Sequence, residues 1–315
     1  MNVVVLGAAG FIGTNLAMEL VKNQNDDIYL VDTDINFFTN KYILEQKNVH
    51  LVTMEFNTES DFDSVLKGMD TLYHLVSTVT PTNSNQHISN DLTSNVIFTS
   101  LLLEAAVRQK VKKVVFVSSG GTVYGLETNC PLCENTPTNP INSYGIQKVT
   151  IEKLLYLYKY MYGLDYRIIR LANPYGPYQR PNGVLGAVTT FTYKALKNET
   201  IQVYGDGSVI RDYIYIDDAI RGVMSITNGN SSHRIFNLGC GYGTSINEVL
   251  NTVSKVLNKK LDVVYTEARK VDVPVNYLDI SRYEAEYGKL GTIDLEEGIY
   301  KTACFLKEQY NIFEV

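Results

Sequence analysis

Apolar residues in the first half of this chain fall into short continuous runs separated by longer stretches with a helical period. The runs are Asn2 to Leu6 (NVVVL), Ile28 to Val31 (IYLV), Val49 to Met54, Thr71 to Val76 (TLYHLV) and Lys113 to Ser118 (KVVFVS). Phe11 to Lys22 and Asn90 to Arg108 lie between them and repeat apolar positions as amphipathic helices do. An unbroken apolar run suits a strand buried on both faces, so the alternation predicts a parallel sheet covered by helices on each side. Right-handed crossovers between such strands give a doubly wound α/β (Rossmann) fold. A further helix is predicted over Ser143 to Tyr162 and a strand over Tyr166 to Leu171.

Past Leu171 the pattern loosens into loops rich in Pro, Gly and Asn. Short strands at Ile201 to Tyr204 and Arg234 to Leu238, with helices near Asp217 and Ser245, predict a smaller α/β C-terminal lobe. The organisation expected is a first domain over 1–170, with later returns near 210–240, and a lobe formed mainly by 171–315. No low-complexity linker separates them, so the two are expected to share a cleft. The tyrosine-rich run YLYKYMY, Tyr156 to Tyr162, reads as a packed helix face, part of which would suit a helix–helix dimer.

Composition narrows the function. A chain of 315 residues with 45% apolar and 20% charged residues has the balance of a globular protein with a sizeable core. Its net charge of −6, with no basic cluster, argues against nucleic acid as the main partner. No apolar run reaches membrane-spanning length, so no membrane insertion is expected. The opening MNVVVLGAAG is too short and glycine-rich for a signal peptide, and a cytoplasmic location is expected. Cys130 and Cys133 form a lone CxxC in a Pro/Asn-rich loop without a second ligand pair, which reads as free thiols and no metal.

Chemistry first appears after the first strand. Gly7, Gly10 and Gly13 (GAAGFIG) follow NVVVL and open the first helix. Glycines there permit a tight turn and close approach of backbone to a pyrophosphate, which then meets the free N–H groups and positive end of a helix. The spacing is GxxGxxG, not GxGxxG. Asp32 ends the second strand, where a carboxylate accepts hydrogen bonds from adenosine ribose hydroxyls, and the following DTDINFF lacks the arginine that a 2′-phosphate would need. The cofactor expected is NAD.

The stretch SYGIQK sets Tyr144 and Lys148 one helical turn apart. With 23 tyrosines in the chain, about one Tyr-x-x-x-Lys arises by chance, and Tyr193 to Lys197 is a second copy. Beside a dinucleotide site the pair gains a use. A phenol is a weak base at neutral pH, and a neighbouring ammonium together with the positive nicotinamide would favour its phenolate. Tyr144 would then take a proton from a substrate hydroxyl as hydride leaves the same carbon.

Six motifs occur in order: GAAGFIG, the YHLV strand, SSGGTVYG (Ser118 to Gly125), SYGIQK, RLANPYGPYQ (Arg170 to Gln179) and RDYIYIDDA (Arg211 to Ala219). Together they resemble the extended short-chain dehydrogenase/reductases, and within them the UDP-sugar 4-epimerases, over nearly the whole chain. The resemblance implies a homodimer, through the helices beginning near Asn90 and Ser143. It also implies interconversion of UDP-hexoses at C4 through a transient 4-keto sugar, as in the making of cell-surface polysaccharide precursors. Tyr144 becomes the base and Lys148 its partner. Gly7, Gly10, Phe11, Ile12, Gly13, Asp32, Glu55, Phe56, Leu75, Val76, Ser77, Asn95 and Ser118 would hold NAD. Asn173, Tyr204, Arg211, Tyr213, Arg269 and Asp272 would hold the UDP-sugar, with the arginines on the diphosphate. The usual catalytic serine position is Gly120 here, so Ser119 or Thr122 must supply the third hydroxyl. The dehydratases carry an Asp-Glu pair in this segment, which here reads Gly-Gly-Thr and argues against dehydration. Asn276 falls where epimerases restricted to plain hexoses place a tyrosine, so a 2-acetamido sugar is expected to fit. Alternatives are a nucleotide-sugar 4-ketoreductase, an epimerase of another nucleotide sugar, and a non-catalytic NAD-binding regulator.

Overall fold

The computed structural model describes residues 1–34, 40–81, 84–126, 129–181, 186–269 and 273–312. Its first six strands are β1 (Asn2–Leu6), β2 (Asp27–Asp32), β3 (Val49–Thr53), β4 (Thr71–His74), β5 (Lys113–Ser119) and β6 (Asp165–Leu171). The helices among them are α1 (Phe11–Leu20), α2 (Lys41–Leu44), α3 (Phe62–Leu66), α4 (Ile88–Leu92), α5 (Phe98–Arg108) and α6 (Ser143–Tyr162). The second half adds β7 (Asn173–Tyr175), α7 (Ala187–Leu196), β8 (Ile201–Tyr204), β9 (Ile210–Arg211), β10 (Tyr213–Tyr215), α8 (Ile216–Asn228) and β11 (Ile235–Leu238). After these come β12 (Thr244–Ser245), α9 (Ile246–Leu257), β13 (Val263–Thr266), β14 (Val275–Asn276), α10 (Ser281–Tyr287) and α11 (Leu295–Gln309).

Seven strands form one parallel sheet in the order β11-β6-β5-β4-β1-β2-β3. Val3, Val4, Val5 and Leu6 are buried on both faces, each such side chain contributing roughly 1.5–3 kcal/mol by leaving water. From β1 the chain winds outward to β2 and β3, then crosses back to β4 on the other side. That reversal opens a crevice at the carboxyl ends of β1 and β4, where doubly wound sheets bind ligands. The second-half strands make small ladders: β10 with β7, β9 between β12 and β14, and β13 with β8. The segment Ile235–Leu238 leaves these and completes the large sheet beside β6.

Two elements depart from expectation. The helix expected over Asn90 to Arg108 is α4 and α5 joined by a π-turn, Thr93–Ile97. Buried Asn95 causes no break there: it accepts from the Thr78 backbone N–H at 3.0 Å and donates to Thr78 Oγ1 at 2.7 Å, so the wider turn faces the end of β4. The packed face expected of Tyr156 to Tyr162 holds for Tyr158 only. Tyr156, Leu157, Tyr160, Met161 and Tyr162 are exposed, because the buried side of α6 runs through Lys148, Ile151, Glu152, Leu155 and Tyr158.

Candidate functional site

At the crevice, Gly7 adopts φ +82°, a conformation only glycine holds without strain, and packs against the backbone of Leu75 and Val76. A side chain at Gly13 would collide with the Gly7 carbonyl and Ala8, so α1 passes directly over the turn. Gly10 caps α1 without a side-chain hydrogen bond, which leaves first-turn N–H groups for an anion. Asp32 Oδ2 accepts from Ala9 N–H at 2.8 Å, tying the glycine turn to the end of β2. This cradle of glycines, open helix end and carboxylate fits an adenine dinucleotide pyrophosphate and its ribose.

Tyr144 and Lys148 lie in the first turns of α6, whose N-terminus is capped by its own Asn142 and by two side chains from elsewhere in the chain. Asn142 accepts from Gly145 N–H at 2.8 Å, Asn85 from Ser143 N–H at 2.9 Å and Ser84 from Tyr144 N–H at 3.1 Å. The C-terminus closes on Gly163 in the left-handed region. Lys148 Nζ donates to the Val117 carbonyl at 2.9 Å and sits 5.4 Å from the Tyr144 ring centre. Burial lowers the Lys148 ammonium to about 8, opposed by the Glu152 carboxylate. Burial raises the Tyr144 phenol to about 12. In the protein alone, desolvation therefore outweighs the ammonium expected to favour a phenolate.

Both side chains face a cavity of ≈ 530 Å³ that runs from Phe11 and Ile12 on α1 to Tyr204 and Arg269 in the second half. Ser77, Ser118, Ser119 and Thr122 share the wall near Tyr144, joined by Leu75 from the end of β4. Gly120 is closely packed: an added Cβ would sit 2.5 Å from the end of the Leu278 side chain and 3.1 Å from the Arg170 carbonyl, so a serine there would require Leu278 to shift. Ser119 is accessible on the wall, whereas the Thr122 hydroxyl oxygen is buried without a partner. At the far end Asn173, Tyr204, Arg211, Tyr213 and Arg269 line the same space. The Arg269 guanidinium stacks 3.9 Å from the Tyr204 ring centre, and Arg211 donates to the Val273 carbonyl at 2.6 Å.

Other expected positions lie off this wall. Asn95 is engaged with Thr78, Val76 is core, Phe56 packs edge-on to Phe98, and Glu55 is exposed beyond β3. Asn276 is 1% exposed and donates to the Gly120 carbonyl at 3.2 Å, so it stands behind the cavity wall. Asp272 lies outside the described residues. Gln179, Thr190, Phe191, Lys194 and Gln202 line the cavity without having been anticipated. Gln179 closes the motif RLANPYGPYQ, and the others carried as signal a polar stripe on the helical pattern of AVTTFTYKAL and an alternating IQVY. Tyr193 and Lys197, the second Tyr-x-x-x-Lys, instead pack together at the end of α7 beside Tyr310. Neither Cys130 nor Cys133 is in a disulfide, and no cluster of metal-ligating side chains occurs among the described residues.

The model of the NAD dependent epimerase/dehydratase family matches residues 3–239. A putative UDP-glucose 4-epimerase of Methanocaldococcus jannaschii is 33% identical over 308 residues, covering 97% of this chain and 98% of its own. The UDP-glucose 4-epimerase of Thermotoga maritima, solved with UDP-glucose, superposes with a TM-score of 0.89 at 30% identity, covering 98% of this chain and all of that one. A UDP-N-acetylglucosamine 4-epimerase from Methanobrevibacter ruminantium, solved with UDP-N-acetylmuramic acid, gives 0.90 at 27%, covering 98% of both.

Proposed function

The chain belongs to the NAD-dependent epimerase/dehydratase family, and from that premise we propose that it inverts the C4 configuration of UDP-hexoses, taking 2-acetamido sugars as well as plain ones. The observation that carries this reading is one cavity holding Tyr144, Lys148 and Ser119 at one end and Arg211, Arg269 and Tyr204 at the other. Residues 1–170 serve as the cofactor domain and mainly 171–315 as the nucleotide-sugar lobe. Two arginines suit a diphosphate, since each planar fork donates parallel charge-assisted bonds, and Tyr204 offers a face for the base. Anchored there, the sugar reaches Tyr144 while remaining free to turn.

NAD⁺, held by the glycine turn Gly7 to Gly13 and by Asp32, would supply the acceptor and donor of the C4 hydride. Tyr144 removes the C4 hydroxyl proton and later gives it back, Ser119 holds the same oxygen, and Lys148 steadies Tyr144 from the Val117 carbonyl. A buried phenol near 12 needs positive charge beside it to act, and the Lys148 ammonium is the protein's own source. The turn 119–122 offers the sugar hydroxyls and glycine but no cation, which favours a neutral hexose over a uronate. Asn276, turned to the Gly120 carbonyl, does not line the cavity, which supports a site that takes a 2-acetamido group. The enzyme acts in the cytoplasm as a homodimer through the exposed apolar side of α6. Among the described residues no helix is long and apolar enough to cross a membrane.

The test is to incubate the purified protein, without added cofactor, with UDP-Glc, UDP-Gal, UDP-GlcNAc and UDP-GalNAc in turn, and to follow the sugar by proton NMR. The C4 epimer is expected from each pair. Unchanged sugars, with turnover of a 4-keto nucleotide sugar only when NADH is added, would make this a net reductase instead.

A further inference from the structure

One helical turn beyond Lys148, α6 carries Glu152, whose side chain is 3% exposed. The carboxylate accepts from Ser118 Oγ at 2.6 Å and from two nitrogens of Arg170, Nε at 3.1 Å and Nη2 at 2.7 Å. Ser118 and Arg170 are register partners on β5 and β6, so one carboxylate clamps both strands to α6 at the same height. Ser118 stands between Val117, whose carbonyl holds Lys148, and Ser119 on the cavity wall. Arg170 continues the chain of contacts to the Tyr124 hydroxyl at 3.1 Å, which donates to Asn237 at 2.6 Å. Asn237 in turn donates to the carbonyls of Leu132 and of Asp279, the latter close to Asn276 in sequence. No step of the proposed reaction uses Glu152.

We propose that Glu152 is a positioning residue of this site: its carboxylate, oriented by Arg170, fixes Ser118 against α6 and keeps the Lys148 ammonium charged beside Tyr144. This rests on the assignment of Tyr144 and Lys148 as the reacting pair. The charges around Lys148 leave few other candidates. On α6 itself they are Tyr144 and Glu152; His74 on β4 is buried and neutral, and β5 contributes only the Val117 carbonyl and the Phe116 ring. Arg170 faces the carboxylate from β6, and α4, packed on α6, brings the buried Asp91. Glu152 is thus the acid on Lys148's own helical face, one turn away, in surroundings where water screens little.

The test is Glu152→Gln in the full chain, with lysines reductively methylated by ¹³C-formaldehyde and the Lys148 resonance identified by its loss in Lys148→Arg. The Lys148 titration midpoint is expected to fall by at least about half a unit, a threefold change in its proton affinity. The alkaline limb of kcat for the nucleotide sugar should move the same way with KM unchanged. A midpoint within about 0.2 unit of the parent overturns the proposal, since a purely structural role would lower thermal stability without moving it. Should Glu152→Gln fail to fold, Glu152→Gln with Arg170→Gln is compared with Arg170→Gln alone, so that only the carboxylate differs, and the same two outcomes decide. The NMR midpoint requires no turnover, so failure of the proposed reaction would show separately, as absent epimerisation with a shifted midpoint.

Discussion

Tyr144 is a phenol that the protein makes harder, not easier, to ionise, and this sets what its removal should do. Tyr144→Phe deletes the proton acceptor and leaves the packing, so kcat should fall by roughly 10²–10⁴-fold while the melting temperature stays within a degree or two of the parent. A loss confined to KM would show that Tyr144 binds substrate without exchanging protons. His74, behind Lys148, makes a different prediction. Burial holds its imidazole down to about 3, with Lys148 adding to the effect, whereas the unfolded chain protonates near the ordinary value of 6.5. Between these limits the unfolded state binds a proton that the folded state refuses, so stability from this group falls as pH falls, by about 1.4 kcal/mol per unit. Asp212 acts oppositely. Burial raises it to about 6 despite three backbone N–H donors, so its contribution grows as pH drops from about 6 towards 3.8. The two groups oppose each other over this range, and the comparison with His74→Asn isolates the histidine. That variant, which loses contacts to Thr99, Phe98 and Phe116, should be less stable at pH 7, with the gap closing below pH 6 in urea titrations. A gap independent of pH would mean His74 is not held neutral.

At the scale of elements, what could be read from the chain were those whose signal is local. α6 runs from Ser143 to Tyr162 as expected from the sequence, and β1 with its glycine turn fell where the apolar run ended. Gly13 tests how rigid that turn is. In Gly13→Ala the new methyl meets backbone at Gly7 and Ala8, so stability should drop by roughly 1–3 kcal/mol and retained NAD should be lost on purification. Full NAD occupancy in the variant would show that α1 can move away from the turn. The features that escaped the sequence are non-local. The π-turn at Thr93–Ile97 follows from Asn95 answering Thr78, and nothing in the helical period reports a partner on another element. At Gly120 the space beside the backbone is filled by Leu278, a neighbour from the far end of the chain. Glu152 did carry a local signal, since the period linking Tyr144 to Lys148 reaches it at the next turn, but its meaning depends on Arg170 from β6.

For the molecule as a whole, the outer side of α6 carries more apolar surface than a solvated helix needs. Ile146, Tyr156, Leu157, Tyr160, Met161 and Tyr162 are all exposed, and Tyr160 is 80% accessible. Ile97, at the end of the π-turn on the neighbouring helical segment, is exposed as well. Large apolar side chains gathered on an exposed helix in this number often mark an interface. The occupant proposed is the same face of a second copy, giving an isologous contact in which each α6 packs on its counterpart. The contact bears on catalysis because the other side of the same helix holds Tyr144 and Lys148, so a partner that stiffens α6 stiffens the pair. Leu157→Asp is the direct test, since the residue is already half exposed and a charge there costs the isolated subunit little. Light scattering should show the parent at twice the subunit mass of 35.4 kDa and the variant at the subunit mass, with helix content unchanged and epimerase activity reduced. A dimeric Leu157→Asp would move the interface off α6, and a parent that runs at the subunit mass would remove it altogether.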